Sequence, residues 1–210
     1  MRVQTVRSLA LGALAALSAL GLTLVASSPG VAAGTAKKTR APGFLSPTDL
    51  PPHPSSSWFA GTVTAGLPDP EPFCVDGVLP ASRSHHREFH TDLDATATQV
   101  SVTAPSAAAA NRLAASVRKS VAACAADWLR GTPGGTASWD DYGGLAVGNG
   151  AHVYGVQVSA PESETNVHLF GVGRDGRVVT VVRWGQMGAL ADAPVKDFKQ
   201  TTRTAVEKLD

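Results

Sequence analysis

One feature constrains this chain more than any other: from Ala107 to Leu129 it carries a single apolar stripe at helical spacing. Leu113, Val117, Val121, Cys124 and Trp128 recur at steps of four, four, three and four. At 3.6 residues per turn these positions stay on one face, while Arg112, Arg118, Lys119 and Asp127 fall elsewhere and suit water. Ser106 is placed to cap the helix, and Gly131 and Pro133 end it. A helix this long with a face of Leu, Val, Cys and Trp must lie against another layer of structure.

The rest of the chain supplies that layer as strands. Asn166–Gly173 and Arg177–Trp184 flank Arg174-Asp175-Gly176, a compact turn containing Asp-Gly, and so predict a hairpin. The run Val178–Val182 is apolar on both faces, as a central strand would be. His152–Ala160 places Tyr154, Val156 and Val158 on one side. The preceding Asn149-Gly150 is a hairpin turn if Leu145–Gly148 pairs back as a short strand. Arg87–Asp92 and Ala97–Ala104 alternate loosely and predict two more strands before the helix. A second amphipathic helix, Pro194–Leu209, closes the chain, with Val195, Phe198, Thr202, Ala205, Val206 and Leu209 as its buried stripe. The order β-β-α-β-β-β-α predicts an α+β fold: an antiparallel sheet of about five to six strands with two amphipathic helices packed on one face.

The N-terminus addresses compartment. Arg2 and Arg7 precede an uncharged run from Leu9 to Val25, and small residues follow through Ala33. A basic start, an apolar middle and a small-residue exit form the pattern of a secretory signal peptide over residues 1–33, with cleavage after Ala33 or Ala36. The alternative is a retained anchor, for which an apolar run of about 17 residues is at the lower limit of a spanning helix. Residues 34–57 are expected to be a Pro/Ser-rich linker with one short turn at Ser46–Leu50, and residues 58–210 a single domain. The expected location is outside the cell, as a monomer with no membrane span after cleavage. Losing residues 1–33 removes two arginines and no acid, leaving 16 basic against 17 acidic side chains. That balance offers no electrostatic basis for binding nucleic acid.

Two cysteines in an exported chain are expected to pair, so Cys74 and Cys124 predict one disulfide. It would close a loop of about 50 residues, worth roughly 4 kcal/mol on a chain-entropy basis.

Several constellations resemble functional motifs. Gly171-Val-Gly173-Arg-Asp-Gly176 matches the lettering of a dinucleotide fingerprint, but that motif needs a helix after its glycines. Here β-branched residues follow, so it is a hairpin turn and no cofactor is expected. His86, Glu88 and His90 would share one face of a strand and are the candidates for a metal site; exposed strand positions are the commoner explanation, and no metal is expected. No nucleophile elbow or zinc-protease motif is present, so no catalytic residue is assigned and the chain is not expected to be an enzyme. Trp139 and Tyr142 sit among Gly and Asp, where aromatic residues serve either as a contact surface or as a lid over the sheet edge. Trp58-Phe59 are expected as buried anchors.

In layout, the region from Trp58 to Leu209 resembles the extracellular sensor domain of the mycobacterial PknH-type receptor kinases, a module also found in secreted actinobacterial proteins. The likeness lies in a Cys before the first strands, a helix carrying Cys and Trp (AASVRKSVAACAADW), a late valine-rich strand (GRVVTVVRWG) and a terminal amphipathic helix (FKQTTRTAVEKL). The chain departs from it in placing Cys124 ahead of Trp128 and in having cysteines for one disulfide only. The resemblance implies a cleft that receives an extracellular ligand. The expected function is therefore a secreted, non-catalytic binding or sensor domain for a small molecule or envelope component. The alternative is a secreted protein-interaction factor, an inhibitor or assembly partner, acting through the Trp139–Tyr142 loop.

Overall fold

A computed structural model describes residues 42–209. The proposed leader and the first part of the proposed linker lie outside the described residues. In chain order the strands are β1 (Phe59–Ala60), β2 (Thr64–Ala65), β3 (Ser84–His90) and β4 (Thr96–Thr103). Helix α1 (Ala107–Gly131) follows. Then come β5 (Thr136–Leu145), β6 (Ala151–Ser159), β7 (Asn166–Asp175), β8 (Val178–Met187) and helix α2 (Val195–Glu207).

All eight strands join one antiparallel sheet in the order β1-β3-β4-β8-β7-β6-β5, with β2 also pairing to β3. The α+β antiparallel class is the expected one. The strand count is higher because β1 and β2 are too short to carry a period and β5 runs through glycines and aspartates. After α1 the chain resumes at the far edge as β5. It then meanders back until β8 meets β4, residue for residue from Thr96↔Gly185 to Thr103↔Val178.

The two helices lie on opposite faces of the sheet rather than sharing one. Ala110, Ala114, Val117, Val121 and Cys124 of α1 pack with Val100, Val102, Tyr154, Val156, Phe170, Val172, Val179 and Val181. On the other side, Phe198, Ala205 and Val206 of α2 pack with Val153, Val167, Leu169, Val182 and Trp184. Strands β7 and β8 are apolar at both odd and even positions, so each face needs its own cover. Gly171 and Gly173 show how closely α2 approaches. A Cβ at Gly171 would lie 2.2 Å from Thr202 Oγ1, and one at Gly173 would lie 2.2 Å from Val206 Cγ2. The lettering of the nucleotide fingerprint thus reflects helix packing and a hairpin turn.

Composition assigned the segment before Trp58 to a linker, but from Gly43 to Leu50 it packs against the domain. Leu45 is fully buried and its N–H donates to Gln99 Oε1 at 2.7 Å. Pro47–Asp49 form a 3-10 turn with Ser46 and Asp49 in a capping box, as the Ser-Pro signal predicts. Asp49 receives Lys208 Nζ, and its carbonyl accepts from Thr201 Oγ1 at 2.6 Å. Burial acts to raise the Asp49 pKa, but hydrogen bonds from Lys208 and Ser46 outweigh it and hold the carboxyl below its ordinary value. Trp58 is buried, with Nε1 donating to Pro51 O at 2.7 Å. Phe59, expected beside it in the core, is instead 44% exposed and stacks on His90.

Candidate functional site

Outside the patch that α1 covers, the same sheet face is bordered by the proline-rich loop before β3. The disulfide Cys74–Cys124 is formed, as the cysteine count predicts, and ties this loop to α1. Ser120 Oγ on α1 donates to Cys74 O at 2.7 Å. At the loop's ends His86 Nδ1 meets Gly66 O at 3.0 Å and Ser84 Oγ donates to Pro80 O. A loop held at four places against a rigid sheet makes a stable wall.

Between this wall and the sheet is a cleft of about 640 Å³. Pro70, Glu71, Phe73 and Asp76 line it from the loop. Glu88, Thr98 and Arg183 line its floor in register on β3, β4 and β8.

Arg183 and His168 form the polar centre beside this floor. Arg183 Nη2 donates to His168 Nδ1 at 2.8 Å, and Nη1 donates to Thr96 Oγ1 at 3.1 Å. Arg183 Nε is buried with no hydrogen-bond partner, and the ion pairs among the described residues do not include this arginine. Burial lowers the Arg183 pKa from its ordinary value. Burial, and then the charge of Arg183, push the His168 pKa down to about 3, so the imidazole is neutral and accepts at Nδ1. Phe73 packs on the His168 ring with centroids 4.9 Å apart. Gly185 makes the pair possible: a Cβ there would lie 2.5 Å from His168 Nδ1 and 2.9 Å from Arg183 Nη2.

His86, Glu88 and His90 do share the α1-side face of β3, as strand alternation predicts, but they do not converge. His86 is held by Gly66, His90 stacks on Phe59, and Glu88 lines the cleft. Among the described residues no group of three His, Cys, Asp or Glu side chains is placed to hold a metal ion.

Trp139 and Tyr142 lie on edge strand β5, not in a loop, and on opposite faces. Trp139 is on the α1 side, 42% exposed and tilted against Tyr154. Tyr142, three positions further along, falls on the other face by simple alternation and packs on the α2 side near Gly155 and Leu190, while the bulge between Asp141 and Gly143 shifts the register of the residues that follow. The two rings therefore form no common surface. Asp141 at the bulge pairs with His152 Nε2 and accepts from Gly143 N at 2.8 Å. The His152 bond, against a smaller effect of burial, holds the Asp141 carboxyl below its ordinary pKa.

Sequence reasoning passed over Arg183, His168 and Gly185. The available signal was a charged residue interrupting the valine run of β8, two residues before a glycine. No family model, curated protein or solved structure matches this chain.

Proposed function

We propose that this chain is an exported, non-catalytic domain that captures a small extracellular molecule in the cleft between the Pro70–Asp76 loop and strands β3, β4 and β8. The observation that carries this reading is the cleft itself, of about 640 Å³, with a guanidinium at its floor that has no carboxylate partner among the described residues. A volume of this order suits a small ligand. The leader pattern, the disulfide and the layout resemblance to actinobacterial sensor domains support an extracellular role. Among the described residues no helix is long and apolar enough to cross a membrane.

The test is a thermal-shift screen of wild type and Thr98→Trp, in which an indole fills the cleft, against sugars, lipids, cell-wall fragments and small charged metabolites. Stabilisation of wild type that Thr98→Trp abolishes is the expected result. Wild type indifferent to every class, or equal shifts in both proteins, overturns the reading.

A second reading, a secreted protein-interaction factor, draws on the exposure of Trp139 at the sheet edge. Pull-down from culture supernatant with wild type and Trp139→Ala separates the two, since equal recovery of every partner removes it.

A further inference from the structure

Arg183 is an uneconomical residue for its position. It interrupts a run of valines, it is partly buried with its Nε out of solvent, and the two acceptors it has, Thr96 Oγ1 and His168 Nδ1, are neutral. A guanidinium keeps its proton in proteins, so the site holds a positive charge that no carboxylate among the described residues neutralises within ion-pair reach. Burying such a charge unpaired is costly, and an apolar side chain would continue the strand without that cost. Gly185 and His168 are arranged around it, with no room for a Cβ at Gly185. The group is held in place, and what it lacks is an anion.

The other walls narrow the kind of anion. Glu71, Asp76 and Glu88 line the same cleft, so three carboxylates accompany one guanidinium. Glu71 Oε2 already accepts from Gly77 N at 2.9 Å, which fixes that carboxylate to the loop. Glu88 pairs with Thr98, and Thr98 with Arg183, so the acid and the base stand two strand spacings apart on one face. That is roughly 10 Å between their backbones. A phosphate dianion would meet the guanidinium but be repelled by the surrounding acids. A molecule with one carboxylate and one ammonium group complements both ends.

We infer that the cleft binds a small zwitterion of the amino acid or short peptide class, its carboxylate on Arg183 and its ammonium on the side of Glu88. The inference rests on the cleft being the binding site. Phe73 lines the same cleft and offers an apolar surface to a side chain.

The test is isothermal titration of the full chain with the free L-amino acids and L-alanyl dipeptides, each beside its C-terminal amide and its N-acetyl form. Inorganic phosphate and neutral sugars serve as further arms. At least one zwitterion is expected to bind, with its amide ten- to hundredfold weaker, the span expected for a charge-assisted hydrogen bond. Arg183→Gln should bring acid and amide to equal affinity. Glu88→Gln, at an exposed position, should weaken the zwitterion severalfold and leave the N-acetyl form unchanged. The amide comparison uses wild-type protein and so does not depend on how well Arg183→Gln folds.

No binding by any zwitterion, or equal affinity for acid and amide in wild type, overturns the inference. If phosphate or a sugar binds instead and Thr98→Trp blocks it, the zwitterion is excluded while the cleft stands as the site. Zwitterion binding that Thr98→Trp leaves intact overturns both.

Discussion

Arg183 and His168 meet at 2.8 Å over the bare Cα of Gly185, which pairs directly with His168 across β7 and β8. A permanent cation and a neutral imidazole thus share a hydrogen bond in a space that exists because one residue has no side chain. The polar centre of the cleft depends on this arrangement.

Replacing Gly185 by Ala should separate the pair. The new Cβ would lie 2.5 Å from His168 Nδ1, which forces the imidazole or the guanidinium to move. We expect a loss of about 1–3 kcal/mol in urea unfolding, the range for overpacking. Cleft binding should weaken at the same time. Unchanged stability would show that the strands part easily here.

The buried imidazole makes stability depend on acidity. Its pKa is about 3 in the folded chain and lies near 6.5 for an ordinary histidine. As pH falls below 6.5 the unfolded chain takes up a proton that the folded chain refuses, so stability falls with falling pH until about pH 3. Between pH 6.5 and 4 the loss should be on the order of 3 kcal/mol. His168→Asn, whose side-chain oxygen can accept from Arg183, should flatten that limb. Parallel profiles for wild type and variant would assign the acid sensitivity elsewhere.

The disulfide spans 50 residues and holds the cleft's outer wall. Cys74→Ser with Cys124→Ser should cost about 2–4 kcal/mol by denaturant unfolding. Proteolysis should then open the Pro70–Asp76 loop first, because the remaining ties at that point are the Ser120 hydrogen bond and side-chain packing. Uniform cleavage of the whole domain would instead indicate that the bond supports the α1 core.

Leu45→Ala tests whether the segment before Trp58 belongs to the domain. Leu45 is fully buried and packs in the core on the α2 side, so truncation should cost about 2–5 kcal/mol. A tether would give no measurable change in thermal or denaturant unfolding.

The contact between Gly171 and Thr202 is open to a double-mutant cycle. Gly171→Ala alone drives a methyl into the Thr202 side chain and should cost about 1–3 kcal/mol. Combined with Thr202→Ala it should cost less than the sum of the two single changes, since Oγ1 and Cγ2 are then absent. Additive losses would argue that the strain is relieved through the backbone.

The sequence by itself determined the two helices, the strands β3, β4, β6, β7 and β8, and the pairing of its two cysteines. The stripe of α1, the alternation of β6 and the Asp-Gly turn between β7 and β8 are local, set by 3.6- and 2-residue periods and by turn chemistry. So was the common face of His86, Glu88 and His90. Tertiary structure decided which face met which layer, because a period says which residues lie together and not what covers them. It docked Leu45 on Gln99, 54 residues away, and Asp49 beneath Thr201, 152 residues away. It drew the Gly- and Asp-rich segment of β5 into a strand by offering β6 as a partner, overriding weak propensity. It also made the cleft, by bringing a loop, three strands and Arg183 together from distant parts of the chain. Such a site depends on convergence in space, which no local spacing encodes.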